Sequence, residues 1–293
     1  MRAILLLFLL PSLAFAAGGS PDLAELRKTA ESGDAAAQFS LGEIYRNGAG
    51  TFVPQDLTEG LKWCRKAAEQ GYAPAQYILG RAYRNGAGVR TDFTEELKWC
   101  RKAAEQGYAP AQFDLGRAYR DGNPGIPKDR AQAATWFRKA AEQGHAAAQH
   151  NLGMLYERGD GVRKDMTEAV KWYLKAAEQG DNAAQLDLGR AYCRGDGVPK
   201  DMTEALKWYL KAAKQGNDAA QYNIGATYFK GDGVPIDEIE GLAWIILAAE
   251  KGDRHIIQLR DMGKRKLGPE AVLKAQQRSK ELAEMIEATQ RPK

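Results

Sequence analysis

The stretch LKWCRKAAEQGYAPAQ runs from Leu61 to Gln76, and the same sixteen residues run again from Leu97 to Gln112. An identical segment returning after 36 residues marks an internal repeat, and the rest of the chain keeps the beat. The six tryptophans, Trp63, Trp99, Trp136, Trp172, Trp208 and Trp244, are 36, 37, 36, 36 and 36 residues apart. A Leu-Gly or Ile-Gly pair ending at Gly42, Gly80, Gly116, Gly153, Gly189 and Gly225 follows the same period. Six units therefore fill residues 34–252, divided as 34–71, 72–107, 108–144, 145–180, 181–216 and 217–252.

Each unit reads as two helices. The first opens at an alanine-rich stretch such as AAAQHNLGMLYERG, Ala146 to Gly159, in which Ala148, Leu152, Leu155 and Tyr156 share one side at helical spacing. Gly153 sits mid-helix, where glycine costs about 1 kcal/mol against alanine. Its return in every unit implies a neighbouring helix that comes close. A loop rich in breakers follows, such as GDGVPKD, Gly195 to Asp201. The second helix opens with an aspartate and an acid or amide three residues on: Asp56/Glu59, Asp92/Glu95, Asp129/Gln132, Asp165/Glu168, Asp201/Glu204 and Asp237/Glu240. That is a capping-box spacing. The helix closes at KAAEQG, which places Gly71, Gly107, Gly144, Gly180 and Gly216 at the left-handed position after the last turn.

The ends depart from the pattern, as the ends of a stacked array must. KTAESGD, Lys28 to Asp34, is a worn KAAEQGD, so residues 17–33 hold a linker and an N-terminal capping helix. Residues 253–293 read as a degraded first helix, Arg254 to Lys266, and a long polar capping helix that starts at Gly268-Pro269. Leu273, Leu282 and Ile286 are expected to seal the last unit. One hairpin cannot bury its apolar face alone, and like neighbours bury it mutually. The fold class is therefore all-α, an α-solenoid of six 36-residue helix-turn-helix repeats with a capping helix at each end.

The pattern Ala-x-x-x-Leu-Gly-x-x-Tyr-x-x-Gly-x-Gly-Val-x-x-Asp, followed by Ala-x-x-Trp-x-x-Lys-Ala-Ala-Glu-Gln-Gly, resembles the Sel-one-like repeat, a relative of the tetratricopeptide repeat. The unit GDGVPKDMTEALKWYLKAAKQG, Gly195 to Gly216, matches it almost throughout. The resemblance covers about three quarters of the chain. It implies a right-handed solenoid acting as an adaptor, one that binds other proteins on its concave face, often in bacterial export, envelope or signalling settings. The first unit departs by a longer loop, Ala49 to Asp56. A cysteine-rich branch of the family clips its hairpins with disulfides, but KAAEQG carries alanine where that branch carries cysteine. The penicillin-binding activities reported for that branch are not implied.

The composition fits a folded chain. Hydrophobic residues make up 44% of the 293 and charged residues 27%, enough apolar material for a core, which excludes disorder. The net charge of +4 is too small and too dispersed for a generic nucleic-acid binder. The first sixteen residues read as a cleavable signal peptide: Arg2, an apolar run from Ala3 to Leu10, and Ala14 and Ala16 at the small-residue positions. The run is shorter than the roughly 20 residues that span a bilayer. The expected location is periplasmic or secreted, with no membrane insertion after cleavage behind Ala16. Of the three cysteines, Cys64 and Cys100 follow a tryptophan at a core position filled elsewhere by Phe137, Tyr173, Tyr209 and Ile245. Equivalent points in adjacent layers lie about one helix spacing apart, beyond disulfide reach, so no bridge between these two is expected. The odd count leaves at least one thiol unpaired or intermolecular.

Catalytic chemistry finds little support. Glycine loops such as GAGV, Gly86 to Val89, follow a helix instead of a strand, so the context of a phosphate cradle is absent. Behind the signal peptide only Ser20, Ser32, Ser40 and Ser279 remain, none in a nucleophile motif. His145 and His150 lie five apart, about 140° round a helix, where a metal pair wants four. His145 is expected at a helix entry and His150 on the surface. The chain is read as no enzyme and as needing no cofactor or metal.

The positions free to vary carry the functional reading. In tetratricopeptide-like units the first helix lines the inner curve. Two before the Leu-Gly leucine stand Phe39, Tyr77, Phe113, His150, Leu186 and Tyr222. Just after the glycine stand Glu43, Arg81, Arg117, Met154, Arg190 and Ala226. Three further on are Arg46, Arg84, Arg120, Glu157, Cys193 and Phe229, and next to those Asn47, Asn85, Asp121, Arg158, Arg194 and Lys230. The inner groove is thus aromatic and arginine-rich, most of all in the second and third repeats. The groove residues are Phe39, Arg46, Tyr77, Arg81, Arg84, Phe113, Arg117, Arg120, His150, Arg158, Arg190, Arg194 and Tyr222. Arginine offers a planar fork to carboxylates and stacks on rings. The inferred partner is another protein, held through an extended peptide with acidic side chains or a free terminal carboxylate. The alternatives are an anionic envelope polymer such as peptidoglycan in the same groove, and a hydrolase.

Overall fold

A computed structural model describes residues 21–48 and 53–290. The expected signal peptide and part of the long first loop lie outside the described residues. The chain forms α1 (Pro21–Glu31), α2 (Ala35–Asn47), α3 (Leu57–Glu69), α4 (Ala73–Asn85), α5 (Phe93–Glu105), α6 (Ala109–Asp121), α7 (Arg130–Glu142) and α8 (Ala146–Arg158). It continues with α9 (Met166–Glu178), α10 (Asn182–Arg194), α11 (Met202–Lys214), α12 (Asp218–Lys230), α13 (Glu238–Ala249), α14 (Arg254–Lys266) and α15 (Pro269–Gln290). Among the described residues there is no strand. Two compact units divide the chain, one up to Ala111 and one from Gln112.

Within each unit a second helix packs on the first helix of its own repeat and on the first helix of the next. In the N-terminal unit, Leu61, Cys64, Ala67 and Ala68 of α3 meet Ala75, Leu79 and Ala82 of α4, and Trp99 of α5 closes the cluster. In the C-terminal unit, Ala169, Val170 and Tyr173 of α9 meet Ala184, Leu188 and Ala191 of α10, closed by Trp208 of α11. The tryptophan is thus the contact between one repeat and the repeat before it. Its outer face carries a lysine three residues on, with Lys211 Nζ 3.7 Å from the Trp208 ring centre.

The recurrent mid-helix glycine does what its spacing predicts. A Cβ on Gly153 would lie 2.6 Å from the Tyr173 ring and 3.1 Å from the Ala169 carbonyl oxygen, both on α9. Where Cys64 stands in place of tyrosine, its sulfur takes the same niche against Gly42. Cys64 is fully buried and a free thiol, so the Cys64–Cys100 bridge is absent as expected. Burial pushes its pKa up to about 12.

The capping box is only half made. Each Asp side chain accepts the backbone N–H three residues on, as Asp165 does from Glu168 at 3.0 Å and Asp201 from Glu204 at 2.9 Å. The glutamate does not reach back, because the Asp N–H is already taken. It donates to the carbonyl of the first-helix tyrosine: Asp92 to Tyr83, Asp165 to Tyr156 and Asp201 to Tyr192, each at 3.0 Å. The glutamates turn forward to lysine, Glu168 to Lys171 at 2.9 Å and Glu204 to Lys207 at 2.7 Å.

Two glutamines that the pattern carries silently form a ladder. Buried Gln149 of α8 donates from Nε2 to the Ala141 carbonyl at the end of α7 (3.0 Å), and its Oε1 accepts from Gln179 at the end of α9 (2.7 Å). Gln76 and Gln106 do the same in the N-terminal unit. Each pair adds a side-chain donor to a last-turn carbonyl that a backbone N–H, of Gly144 or Gly71, already reaches, and ties three helices together.

The C-terminal end corrects one expectation. Leu273 is 67% exposed and seals nothing. The buried stripe of α15 is Ala275, Ser279, Leu282 and Ile286, and Leu273 lies two residues before its start, on the opposite side of the helix. α15 also does not stack as a further repeat. It lies along α13 and reaches α11, with Arg278 Nε 2.8 Å from Glu240 and Thr289 Oγ1 donating to the Lys214 carbonyl at 3.5 Å. In α14 the leucine and glycine of the repeat are replaced by Arg260 and Asp261, which pair with each other at 2.8 Å.

Candidate interaction face of the first helices

The aromatic positions of the first helices are half-buried, because each leans on the start of the next first helix. Phe39 meets Tyr72 with ring centres 5.4 Å apart, and Tyr77 meets Tyr108 at 5.4 Å. Phe113 stacks on His145 at 4.7 Å, and Tyr222 meets His255 edge-on at 6.4 Å. His145 is the N-cap of α8, at a helix entry as expected, its Nδ1 accepting from Ala148 N–H at 3.2 Å. Burial lowers its pKa below the usual histidine range.

His150 is no surface residue. Only 12% of its side chain is exposed, and Nε2 lies 3.0 Å from Asp187 of α10. The carboxylate from the next first helix covers it, a partner that sequence separation hides.

The arginines fall into two sets. Arg46, Arg84 and Arg120, one turn beyond the glycine, lean on neighbours. Arg46 pairs with Glu43, and Arg84 with buried Glu96 of α5. Arg120 holds Asp121 at 2.8 Å and also reaches Asn151 of α8. Arg117 extends over the Phe113 ring at 5.9 Å, with Asp114 4.0 Å away. Arg81 is exposed over the Tyr77 ring at 5.8 Å.

Arg158, Arg190 and Arg194 are brought together. They line a cleft of about 560 Å³ between α8 and α10, with Lys164, Met154, Met166 and Tyr173. Arg190 pairs with Asp187 at 3.0 Å, while Tyr173 donates its hydroxyl to Glu157 at 2.6 Å. That hydrogen bond comes second to burial in holding the Tyr173 hydroxyl well above the usual phenol range. Arg158, Lys164 and Arg194 are exposed and have no ion-pair partner among the described residues. Of the groove arginines, Arg46, Arg84, Arg117, Arg120 and Arg190 pair with local carboxylates, while Arg81 of the second repeat, Arg158 of the fourth and Arg194 of the fifth have no ion-pair partner among the described residues. Lys164 escaped the reading of the sequence because it sits in the loop GVRKD, outside the first helix; its only signal is recurrence at Lys128 and Lys200.

Among the described residues no group of three His, Cys, Asp or Glu side chains could hold a metal ion. The Ser32 and Ser40 hydroxyls donate to main-chain carbonyls of Thr29 and Ala36. No described helix is long and apolar enough to cross a membrane.

The family model of the Sel1 repeat matches residues 35–72, 73–108, 109–145, 146–181, 182–217 and 218–253. The chain belongs to the Sel1 repeat family. A solved structure of c5321, a protective antigen present in uropathogenic Escherichia coli strains and displaying an SLR fold, is similar, with 39% identity and a TM-score of 0.78. The similarity covers 89% of this chain and 56% of that one, so the chain spans little more than half of that antigen's length. A Sel1 repeat protein from Oxalobacter formigenes is 38% identical with a TM-score of 0.68, over 78% of this chain and 93% of that one. No curated protein matches. Sel1-repeat proteins are generally protein–protein interaction adaptors, and the fold is typically an interaction scaffold.

Proposed function

We propose that this Sel1-repeat chain is an exported, non-enzymatic adaptor that holds an extended acidic peptide of another protein against its first helices. The observation that carries the reading is the first-helix face itself. The packing scheme needs leucine, glycine, tyrosine and glutamine there, yet exposed Arg81, Arg158 and Arg194 stand beside them with no ion-pair partner among the described residues. Arginine over a ring, as Arg81 over Tyr77, is a ready surface for a carboxylate with an apolar neighbour. The non-enzymatic part is supported by what the candidate nucleophiles and bases already do: serine hydroxyls bind their own helix, His145 caps α8 and His150 is tied to Asp187.

The test is crosslinking capture from native envelope extract with the full chain. A defined protein should be captured, and Arg81→Glu with Arg117→Glu should lose most of it while the helical signal and melting curve stay unchanged. Capture unaffected by that pair would remove the groove from the reading. Capture of glycan instead, declining with salt at every cationic position alike, would favour the polymer alternative.

A further inference from the structure

We propose that the cleft between α8 and α10 is a carboxylate pocket that seats a glutamate-containing segment of the partner, and that it anchors the peptide. The proposal rests on the adaptor reading and narrows it to one place. The position that closes the first helix is Asn47, Asn85 and Asp121 in the first three repeats, and becomes Arg158 and Arg194 in the next two. Both arginines border one volume of about 560 Å³, inside the range of roughly 300–1,000 Å³ that ligand pockets occupy. Lys164 enters from the loop behind α8. These three cations lack ion-pair partners among the described residues, whereas the acids of the same wall are engaged: Asp187 by Arg190 and His150, Glu157 by the Tyr173 hydroxyl. Asp196 is the acid left over.

That balance selects the ligand. Four cations and three acids line the cleft, an excess of one charge, which suits carboxylates better than a dianionic phosphate. Arg158 and Arg194 also stand at helix C-termini, where the backbone presents carbonyls; phosphate sites favour N-termini, whose N–H groups point at the anion. Met154, Met166 and the Tyr173 ring give the apolar wall that a glutamate stem covers.

The test uses the full chain with methyl-labelled methionine and an acetylated, amidated hexaglutamate peptide as probe. Titration should shift the methyl signals of Met154 and Met166 and leave those of Met262 and Met285 in place. Arg158→Gln with Arg194→Gln should weaken binding, read by calorimetry, about tenfold or more. Lys207→Gln with Lys211→Gln, which removes the same charge from α11, should change it less than about threefold. Equal losses in the two pairs would reduce the effect to net charge and overturn the pocket. Binding that survives in Arg158→Gln/Arg194→Gln but fails in Arg81→Gln/Arg117→Gln would overturn the pocket and leave the groove standing. Inorganic phosphate shifting the same methyls at lower concentration than the peptide would overturn the carboxylate assignment, and a probe that does not bind would overturn the proposal outright.

Discussion

Among the first helices whose N-cap side chain accepts a backbone N–H, His145 is the odd cap. Asp34, Asp181, Asn217 and Asp253 hold the equivalent position with side-chain oxygens that accept a backbone N–H. At α8 the acceptor is an imidazole Nδ1, which can accept only while it is unprotonated. Burial lowers its pKa, with its hydrogen bond to the backbone and the Asp114 carboxylate opposing. The sign follows from linkage. The neutral ring is favoured in the folded chain, so the cap contributes fully above the unfolded value near 6.5. It is lost progressively as pH falls through that value toward the lowered folded one. An N-cap of this kind is worth about 1 kcal/mol. As pH falls from 7.5 through 6.5 and below, the Ala148 amide should lose hydrogen-exchange protection, up to about fivefold once the ring is charged, after correction for intrinsic rates. His145→Asn should abolish that difference, and an unchanged pH dependence in the variant would mean the imidazole is not the acceptor. The aspartate caps could be read directly from residue type and spacing. The forward turn of Glu168 and Glu204 could not, because it depends on a tyrosine carbonyl from another helix having already taken the Asp N–H.

At the scale of the element, helices and loops were legible because the boundaries are written locally, by aspartate at the start of every second helix and by glycine after the helix ends. What each loop glycine does was not. In GAGV and GDGV the second glycine is the one that approaches the preceding repeat. Gly88 would place a Cβ 2.6 Å from the Leu57 carbonyl oxygen, and Gly197 would run into the Met166 carbonyl in the same way. Gly180, at the end of α9, also has a positive φ of 93° but nothing within 4 Å of its would-be Cβ. The two sites separate strain from collision. Gly180→Ala should cost about 1–2 kcal/mol, the left-handed penalty for an L side chain. Gly197→Ala carries the same penalty at φ 74° and adds an overlap with backbone that cannot swing aside, about 1–3 kcal/mol more. Urea unfolding of the two variants should show the difference, and equal midpoints would mean that the loop of one repeat does not bear on the helix start of the one before.

At the scale of the whole chain, the repeat number and the helical class follow from a period that six tryptophans share, and such a signal survives substitution at any one position. The face that binds is harder to read, since an arginine's availability depends on carboxylates that arrive from neighbouring helices, as Glu96 does for Arg84. The same dependence explains how stacking stops. A further hairpin would need the leucine and glycine of a first helix to pack on, and α14 offers Arg260 and Asp261 there, an ion pair that would have to be desolvated. Its other side is still apolar enough to dock: Ile256 is buried with Ile245, Ala248 and Ala249 of α13. α14 is therefore a helix with one packing face kept and one erased, and α15 leaves it to lie along α13 and α11. Terminal repeats with a polar outer face keep such arrays soluble. Arg260→Leu with Asp261→Gly should put an apolar docking face in place of the ion pair. Sedimentation should then show association that rises with protein concentration and exceeds that of the parent. If the variant sediments as the parent does over the same range, the charged pair is not what ends the stack.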